Sequence, residues 1–192
     1  MALSFRAALG IQPSQPTLQD SVLLIVDVQN EYARGILKIT DFEKSVAAIG
    51  ALLERYRATG GDVIHILHDT PAGAPLFTPG TGLDEEYPTI APRAGESVVH
   101  KNQPISFTDT NLEALIEKTG KKKLVIVGYM AHVCVSGTTR VAFEKGYDVT
   151  VVKDCIGDRD VPGATAEELV RVVLAELGDA LATILSSDEI SA

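Results

Sequence analysis

The sequence has few of the features that mark a disulfide-stapled secreted domain or a membrane protein. Its 192 residues include two cysteines and no tryptophan, and no apolar run approaches the roughly 18 residues of a transmembrane helix. Two cysteines do not make a disulfide framework, which favours a reducing compartment. The N-terminus has no apolar stretch of signal-peptide length. We therefore expect a cytoplasmic protein, with export by a route that uses no signal peptide left open.

Basic residues are also scarce. Seventeen Lys and Arg face 26 Asp and Glu, which gives a net charge of −9 at pH 7. A field of this sign repels nucleic acid and anionic membranes, so we expect neither as a partner. Apolar residues make up 45 % of the chain, an ordinary share for a globular protein. We expect one compact domain over residues 1–192, with residues 1–20 as an N-terminal extension.

What recurs along the chain is a short β-branched run followed by a helical pattern. Six such runs predict strands, at residues 21–27, 63–67, 97–99, 124–127, 149–152 and 182–185. Strands that alternate with helices predict a parallel sheet covered on both faces, an α/β three-layer sandwich.

The helices between these strands have recognisable ends. Asp41 is predicted to cap the first helix, and the second is predicted to begin near Thr108. A third helix follows Cys134. The fourth begins with a capping box at Thr165, and its Leu169, Val172 and Val173 are predicted to face inward.

Residues 70–93 fit neither a strand nor a helix. They contain five prolines and no periodicity, and a loop of this length in a compact domain is usually functional. Because Leu76, Phe77, Tyr87 and Ile90 give the segment apolar surface to bury, we expect a lid or an oligomer contact rather than a disordered loop.

Three chemically useful side chains follow the predicted strands. Asp27 ends the first strand, Lys101 lies near the end of the third, and Cys134 follows the fourth. In a doubly wound sheet, ligands bind beyond these carboxyl ends. A carboxylate, an ammonium and a thiol together form a base, a cation and a nucleophile suited to acyl transfer. Each residue taken alone has a structural interpretation that is at least as common.

The position of Cys134 favours a reactive thiol. It lies in the first turn of a predicted helix, where free backbone N–H groups and the helix dipole stabilise a thiolate and lower its pKa. The same N–H groups are suited to bind an oxyanion. The alternative is a buried, inert cysteine, which is also our interpretation of Cys155.

Three stretches of the chain resemble one known family. They are LLIVDVQN around Asp27, VVHKNQPISF around Lys101, and VGYMAHVCVSGTTRVAFEKGYDVTVVKDCIGDRD around Cys134. They resemble the isochorismatase-like cysteine hydrolases, which include isochorismatases, nicotinamidases and N-carbamoyl amidohydrolases. The resemblance extends over residues 22–185 and is most specific around Cys134.

The resemblance implies a site and an architecture. It implies an Asp27–Lys101–Cys134 catalytic triad, an oxyanion hole formed by the backbone N–H groups of Met130 and Cys134, and a cis peptide between Tyr129 and Met130. It also implies a six-stranded parallel sheet, for which we expect the order 3-2-1-4-5-6, and a homo-oligomer such as a dimer or tetramer. Tyr32, Phe77 and Tyr129 are candidate walls of the substrate pocket.

No cofactor is predicted. The resemblance implies that nicotinamidases bind a metal through an Asp-x-His pair near the second strand, but here this region contains His65, His68 and Asp69 at other spacings. His100 and His132 do not rebuild the pattern, so we predict no metal. The sequence also predicts no dinucleotide site, since no Gly-x-Gly-x-x-Gly follows a strand.

Two reactions on a small-molecule substrate stay open. One is hydrolysis of the isochorismate enol ether to pyruvate and dihydroxy-dihydrobenzoate, which requires a carboxylic acid such as Asp27 and no thiol. The other is hydrolysis of an amide or carbamoyl C–N bond through a thioester on Cys134. HDTPAGAPLF and the VPG at residues 161–163 resemble isochorismatases, whereas the thiol points to the amidases. A non-catalytic small-molecule binder is the alternative.

Overall fold

The computed structural model describes residues 2–192, and its centre is one sheet of six parallel strands. Their order is β3-β2-β1-β4-β5-β6, which confirms the predicted order. The strands are β1 (Ser21–Val26), β2 (Asp62–His68), β3 (Ser97–Lys101), β4 (Lys123–Gly128), β5 (Asp148–Ile156) and β6 (Thr183–Leu185). The strand order reverses between β1 and β4, where such sheets bind ligands.

Helices cover both faces of this sheet, which confirms the three-layer α/β architecture. They are α1 (Phe5–Ala8), α2 (Asn30–Arg34), α3 (Phe42–Thr59), α4 (Leu112–Thr119), α5 (Ser136–Glu144) and α6 (Ala166–Ala180). A π-helical turn (Ala131–Val135) precedes α5, and a 3₁₀ turn (Ser187–Glu189) follows β6.

Strand β1 joins the two halves of the core. Leu23 and Ile25 pack with α3 on one face, whereas Leu24 and Val26 pack with α4, α5 and α6 on the other. All four side chains are fully buried, as expected for a strand covered on both sides. Because burial of each such side chain contributes about 1.5–3 kcal/mol, β1 is a rigid base for the residues that follow it.

One helix has its predicted N-cap residue but lacks the capping bond, and another begins later than predicted. Asp41 adopts a left-handed conformation with φ of 55° and makes no side-chain cap to α3. The second predicted helix, α4, begins at Leu112 instead of near Thr108, because Asp109 is also left-handed, with φ of 55°. A residue in this region interrupts the right-handed helical path.

Helix α6 begins as predicted, but the side chains that it buries differ from the prediction. Thr165 accepts a hydrogen bond from the Glu168 amide and donates its own amide to the Glu168 carboxylate, which completes the capping box. Val172, however, is 50 % exposed, and the buried face of α6 carries Val173 and Leu177. The assignment of Val172 to the core was wrong because the buried stripe runs one position later.

The 70–93 segment packs closely against the sheet edge that carries Asp27. Phe77 and Ile90 are buried, and the backbone N–H of Tyr87 donates to the Val28 carbonyl at 2.8 Å. The segment therefore covers the carboxyl end of β1. Its function as a lid or a subunit contact stays a prediction.

Candidate active site

The carboxyl ends of three strands bring Asp27, Lys101 and Cys134 together. The Lys101 Nζ atom lies 2.8 Å from Asp27 Oδ2 and 3.6 Å from Cys134 Sγ. The side chains of Asp27 and Lys101 have no exposed surface, and Cys134 is 5 % exposed. Residues that are distant in the sequence thus form one compact, closed group.

Asp27 is held by an unusual backbone conformation at the end of β1. Its φ is 52°, in the left-handed region that non-glycine residues seldom adopt. Its amide donates to the Ile66 carbonyl of β2 at 2.9 Å, and its carbonyl accepts from the Gln29 amide at 2.8 Å. These bonds fix the turn that aims the carboxylate at Lys101. A strained conformation that the surroundings enforce is frequent at functional sites.

Burial and neighbouring charge act in opposite directions on Asp27. Burial raises the pKa of this carboxyl above its ordinary value, although the Lys101 ammonium and the Cys134 thiol both lower it. Among the described residues, the carboxylate has no donor besides these two groups. A carboxyl with these properties can act as an acid or as a base.

Gly128 allows the end of β4, where the chain turns toward Cys134, to lie close to β1. Its φ is 114°, and a Cβ atom here would lie 2.0 Å from the Val26 carbonyl oxygen. Only glycine fits such an approach between backbones. The next peptide, between Tyr129 and Met130, is cis.

Cys134 lies inside the π-helical turn, two residues before α5 begins at Ser136. The sequence had indicated a helix that follows the cysteine, and the structure replaces its start by this wider turn. The Met130 N–H donates to no group among the described residues, and the Cys134 N–H has no acceptor outside the turn. The oxyanion hole that the resemblance implies for these two amides stays a prediction.

The electrostatics of Cys134 differ from the expectation that a helix start lowers its pKa. Burial raises the pKa of the thiol far above its ordinary value, and the Asp27 carboxylate raises it further, whereas Lys101 lowers it. Burial and the Asp27 carboxylate thus disfavour the thiolate. A nucleophilic thiolate would form only when the proton moves to Asp27.

His68, at the end of β2, belongs to the same group and was missed as a site residue. Its Nδ1 atom lies 3.2 Å from Lys101 Nζ, and its partner in the β-sheet register is Lys101. Burial and the Lys101 charge lower the pKa of His68. Its position at a strand end, shared with Asp27 and Lys101, was the signal that could have identified it.

The predicted pocket residues have different surroundings. The Tyr32 ring lies 5.3 Å from the Phe77 ring and 5.7 Å from the Tyr129 ring, and all three are buried. Phe77 also lies 5.1 Å from the His68 ring, directly beside the site. The Tyr129 hydroxyl forms a hydrogen bond of 2.7 Å with the hydroxyl of Ser45 in α3, inside the core. Phe77 and Tyr32 are therefore better placed than Tyr129 to contact a substrate.

The histidines contact acidic groups or Lys101 rather than one another. His65 contacts Glu86 and Glu96, His100 contacts Asp69, and His132 contacts Asp158. Over residues 2–192 no three His, Cys, Asp or Glu side chains form a group able to hold a metal ion. Metal independence stays a prediction.

Comparison with known proteins assigns the family. The Isochorismatase domain model matches residues 21–189. The chain is 54 % identical to the secreted isochorismatase effector Isc1 of Verticillium dahliae, over 98 % of this chain and 99 % of that protein. It is 32 % identical to a streptothricin hydrolase of Streptomyces noursei, over 74 % of this chain and 51 % of that protein. The crystal structure of an isochorismatase from Pseudomonas putida KT2440 superposes with a TM-score of 0.95 at 29 % identity, covering 99 % of this chain and all of that one. The chain belongs to the isochorismatase family.

The cellular location stays a prediction. Within residues 2–192 no helix is long and apolar enough to cross a membrane. The Verticillium relative is described as secreted, so the expected cytoplasmic location is not confirmed.

Proposed function

We propose that this protein hydrolyses the enol ether of isochorismate to pyruvate and dihydroxy-dihydrobenzoate. The observation that carries the proposal is the buried Asp27 carboxyl, paired with Lys101 and raised in pKa by its burial. Enol-ether hydrolysis needs a proton donor of this kind. The name of the 54 % identical relative supports the same reaction.

The steps follow from the chemistry of an enol ether. Asp27 donates its proton to the terminal vinyl carbon, which leaves a cation at the carbon bonded to the ether oxygen. Water adds to that carbon, and a proton from the water returns to Asp27. The resulting hemiketal breaks its C–O bond and releases pyruvate and the ring alcohol. Lys101 stabilises the Asp27 carboxylate while the cation exists.

The pH dependence of this reaction has a defined sign at Asp27. As a proton donor, Asp27 is active below its pKa, so kcat falls as the pH rises through that value. Burial raises this pKa, which extends the active range toward neutral pH. An increase of kcat through the same range would instead identify Asp27 as a base.

Cysteine-dependent hydrolysis of a C–N bond is the second candidate, and it is favoured by the 3.6 Å contact of Lys101 Nζ with Cys134 Sγ. In this reaction Asp27 takes the thiol proton and the sulfur attacks the carbonyl carbon. The amides of Met130 and Cys134 hold the oxyanion, the amine leaves with the proton from Asp27, and water hydrolyses the thioester. The similarity to a streptothricin hydrolase supports this class.

The Cys134→Ala variant separates the two reactions. Amide or carbamoyl hydrolysis should fall by roughly 10⁴-fold or more when its nucleophile is lost. Isochorismate hydrolysis should stay within about tenfold, because the thiol carries no proton to the vinyl carbon. Product mass spectrometry on isochorismate, nicotinamide and carbamoyl compounds measures both.

The outcome of that panel also tests the proposal as a whole. Cys155→Ala provides a matched control, since Cys155 is fully buried away from the site. A protein that binds one of these compounds but turns over none of them is the non-catalytic binder that the sequence left open. Loss of isochorismate hydrolysis in Cys134→Ala, with Cys155→Ala unaffected, would contradict the enol-ether mechanism.

Two further properties complete the proposal. The substrate is a small molecule, because the reactive group is closed and lies under Phe77. The active form is a dimer or a tetramer, as the family resemblance implies. Light scattering of the purified chain measures the number of subunits.

A further inference from the structure

The Lys101 ammonium has three neighbours that accept hydrogen bonds. Asp27 Oδ2 lies at 2.8 Å, His68 Nδ1 at 3.2 Å and Cys134 Sγ at 3.6 Å. An ammonium group carries three hydrogens and no lone pair, so each neighbour must accept. His68 therefore accepts the third hydrogen bond of the Lys101 ammonium, beside the Asp27 oxygen and the Cys134 sulfur.

This contact fixes the protonation state of His68. If Nδ1 accepts from Lys101, it carries no hydrogen, and the proton of the neutral ring is on Nε2. The low pKa of His68, caused by burial and by the Lys101 charge, agrees with a neutral ring. The ring is thus a fixed acceptor beside the reactive groups.

The strand end that carries His68 is held rigidly. Gln29 accepts from the His68 amide at 2.8 Å and donates to the His68 carbonyl at 3.0 Å. The His68 ring packs 5.1 Å from the Phe77 ring. Because Gln29 follows Asp27 by two residues, the same bonds tie His68 to the turn that holds the carboxylate.

The charges around His68 come from three elements. Lys101 belongs to β3, Asp27 follows β1, and Asp69 follows β2, while the thiol of Cys134 approaches from the π-helical turn. The 70–93 segment contributes the uncharged Phe77 ring. A proton on Nδ1 would place a second cation against the Lys101 ammonium, which would displace the ammonium from its position between carboxylate and sulfur.

We propose that His68 is a positioning residue that holds the Lys101 ammonium between Asp27 and Cys134, and that protonation of its Nδ1 atom inactivates the site in acid. The proposal rests on the proposed function insofar as Asp27, Lys101 and Cys134 are the reacting groups. It adds a residue that touches none of the reacting atoms and acts through Lys101.

The first experiment needs no substrate. In the full chain labelled with ¹⁵N-histidine, NMR reports the tautomer and the pKa of His68, assigned by comparison with His68→Asn. The expected result is a neutral ring with hydrogen on Nε2 at pH 7 and a pKa below 6.5. A hydrogen on Nδ1 at pH 7 would overturn the proposal, whether or not the enzyme hydrolyses isochorismate.

The second experiment uses a matched pair of variants. His68→Asn keeps an acceptor close to the Nδ1 position and does not titrate, whereas His68→Leu has similar bulk and no acceptor. We expect kcat/KM for isochorismate to fall at least tenfold in His68→Leu and to stay within about threefold in His68→Asn. The acid limb of the pH profile that His68 causes should be absent in His68→Asn.

The outcomes separate the two proposals. Equal activity of His68→Leu and the parent, or an unchanged acid limb in His68→Asn, would refute the positioning role while leaving the reaction in place. If the parent has no hydrolase activity, the reaction is refuted, and the NMR result still decides the contact with Lys101. Circular dichroism of both variants establishes that the chain is folded.

Discussion

Two histidines of β2, three positions apart, lie in two different groups of charged residues. His65 is fully buried and contacts Glu86 at 2.9 Å and Glu96 at 3.1 Å. His68 contacts the Lys101 ammonium at 3.2 Å. An odd separation along a strand places the two side chains on opposite faces, so the groups are independent.

The difference between the two groups lies in what their partners can do. Around His65 both contacts are carboxylates, and Arg57 binds Glu96 through two nitrogens at 2.7 and 2.8 Å. These contacts connect β2 to Glu86 in the 70–93 segment and to Glu96, which directly precedes β3. Around His68 the partners include a thiol and a carboxyl that can exchange a proton. Burial of charge alone therefore does not identify the reactive group; the presence of a thiol beside the carboxyl and the ammonium does.

The largest expected loss of activity comes from Asp27→Asn, in the group that contains His68. The variant keeps the shape of the side chain and removes the carboxyl that gives or takes the proton, so kcat/KM should fall by roughly 10³-fold. Stability in urea should change far less than activity. Steady-state kinetics and urea unfolding measure the two, and substantial residual activity would refute the role of Asp27 in both candidate reactions.

His65→Leu should give the opposite pattern. Removal of the imidazole leaves the Glu86 carboxylate buried without a partner, which should lower the free energy of unfolding by about 3 kcal/mol. The kcat of the folded protein should stay within about twofold, since His65 contacts none of the reacting groups. Urea unfolding and active-site-normalised kinetics test this. A large loss of kcat with unchanged stability would contradict a purely structural role of His65.

A smaller effect concerns Glu96 and acid stability. Burial opposes ionisation, but Arg57 and the Arg93 amide outweigh it and lower the pKa of Glu96 to about 2. A carboxyl with a lowered pKa stabilises the fold at a pH above the ordinary pKa of glutamate. This contribution to the free energy of unfolding is lost as the pH falls toward 2. Glu96→Gln should cost about 1 kcal/mol at pH 7 and should flatten the fall in stability between pH 4.5 and 2. Thermal unfolding across that range tests the slope.

The order and direction of the strands could be predicted from the sequence because the pattern is simple. The consecutive apolar residues of β1 indicate a strand buried on both faces, and the family resemblance supplied the strand order. Helix starts were less predictable. Asp41 and Asp109 adopt left-handed conformations, which Asp tolerates better than most residues but which the hydrophobic pattern does not indicate.

The candidate site was predictable as a set of strand ends. Asp27 and Cys134 follow β1 and β4, which are neighbours in the sheet, and Lys101 ends β3, which β2 separates from β1. Their protonation states were not predictable, because the expected effect of a helix start on Cys134 is outweighed by burial and by Asp27. His68 was missed because its contact with Lys101 depends on the register between β2 and β3.

The location of each reactive group on a separate strand has a consequence for how this protein loses activity. A shift of one residue in the pairing of β3 with β2 would turn Lys101 to the opposite side of the sheet and empty its place beside the carboxylate. No pair of neighbouring strands carries the complete set. Catalysis therefore requires the native arrangement of the strands. During denaturation, activity should be lost together with the cooperative unfolding of the sheet, and no partly folded form should be active.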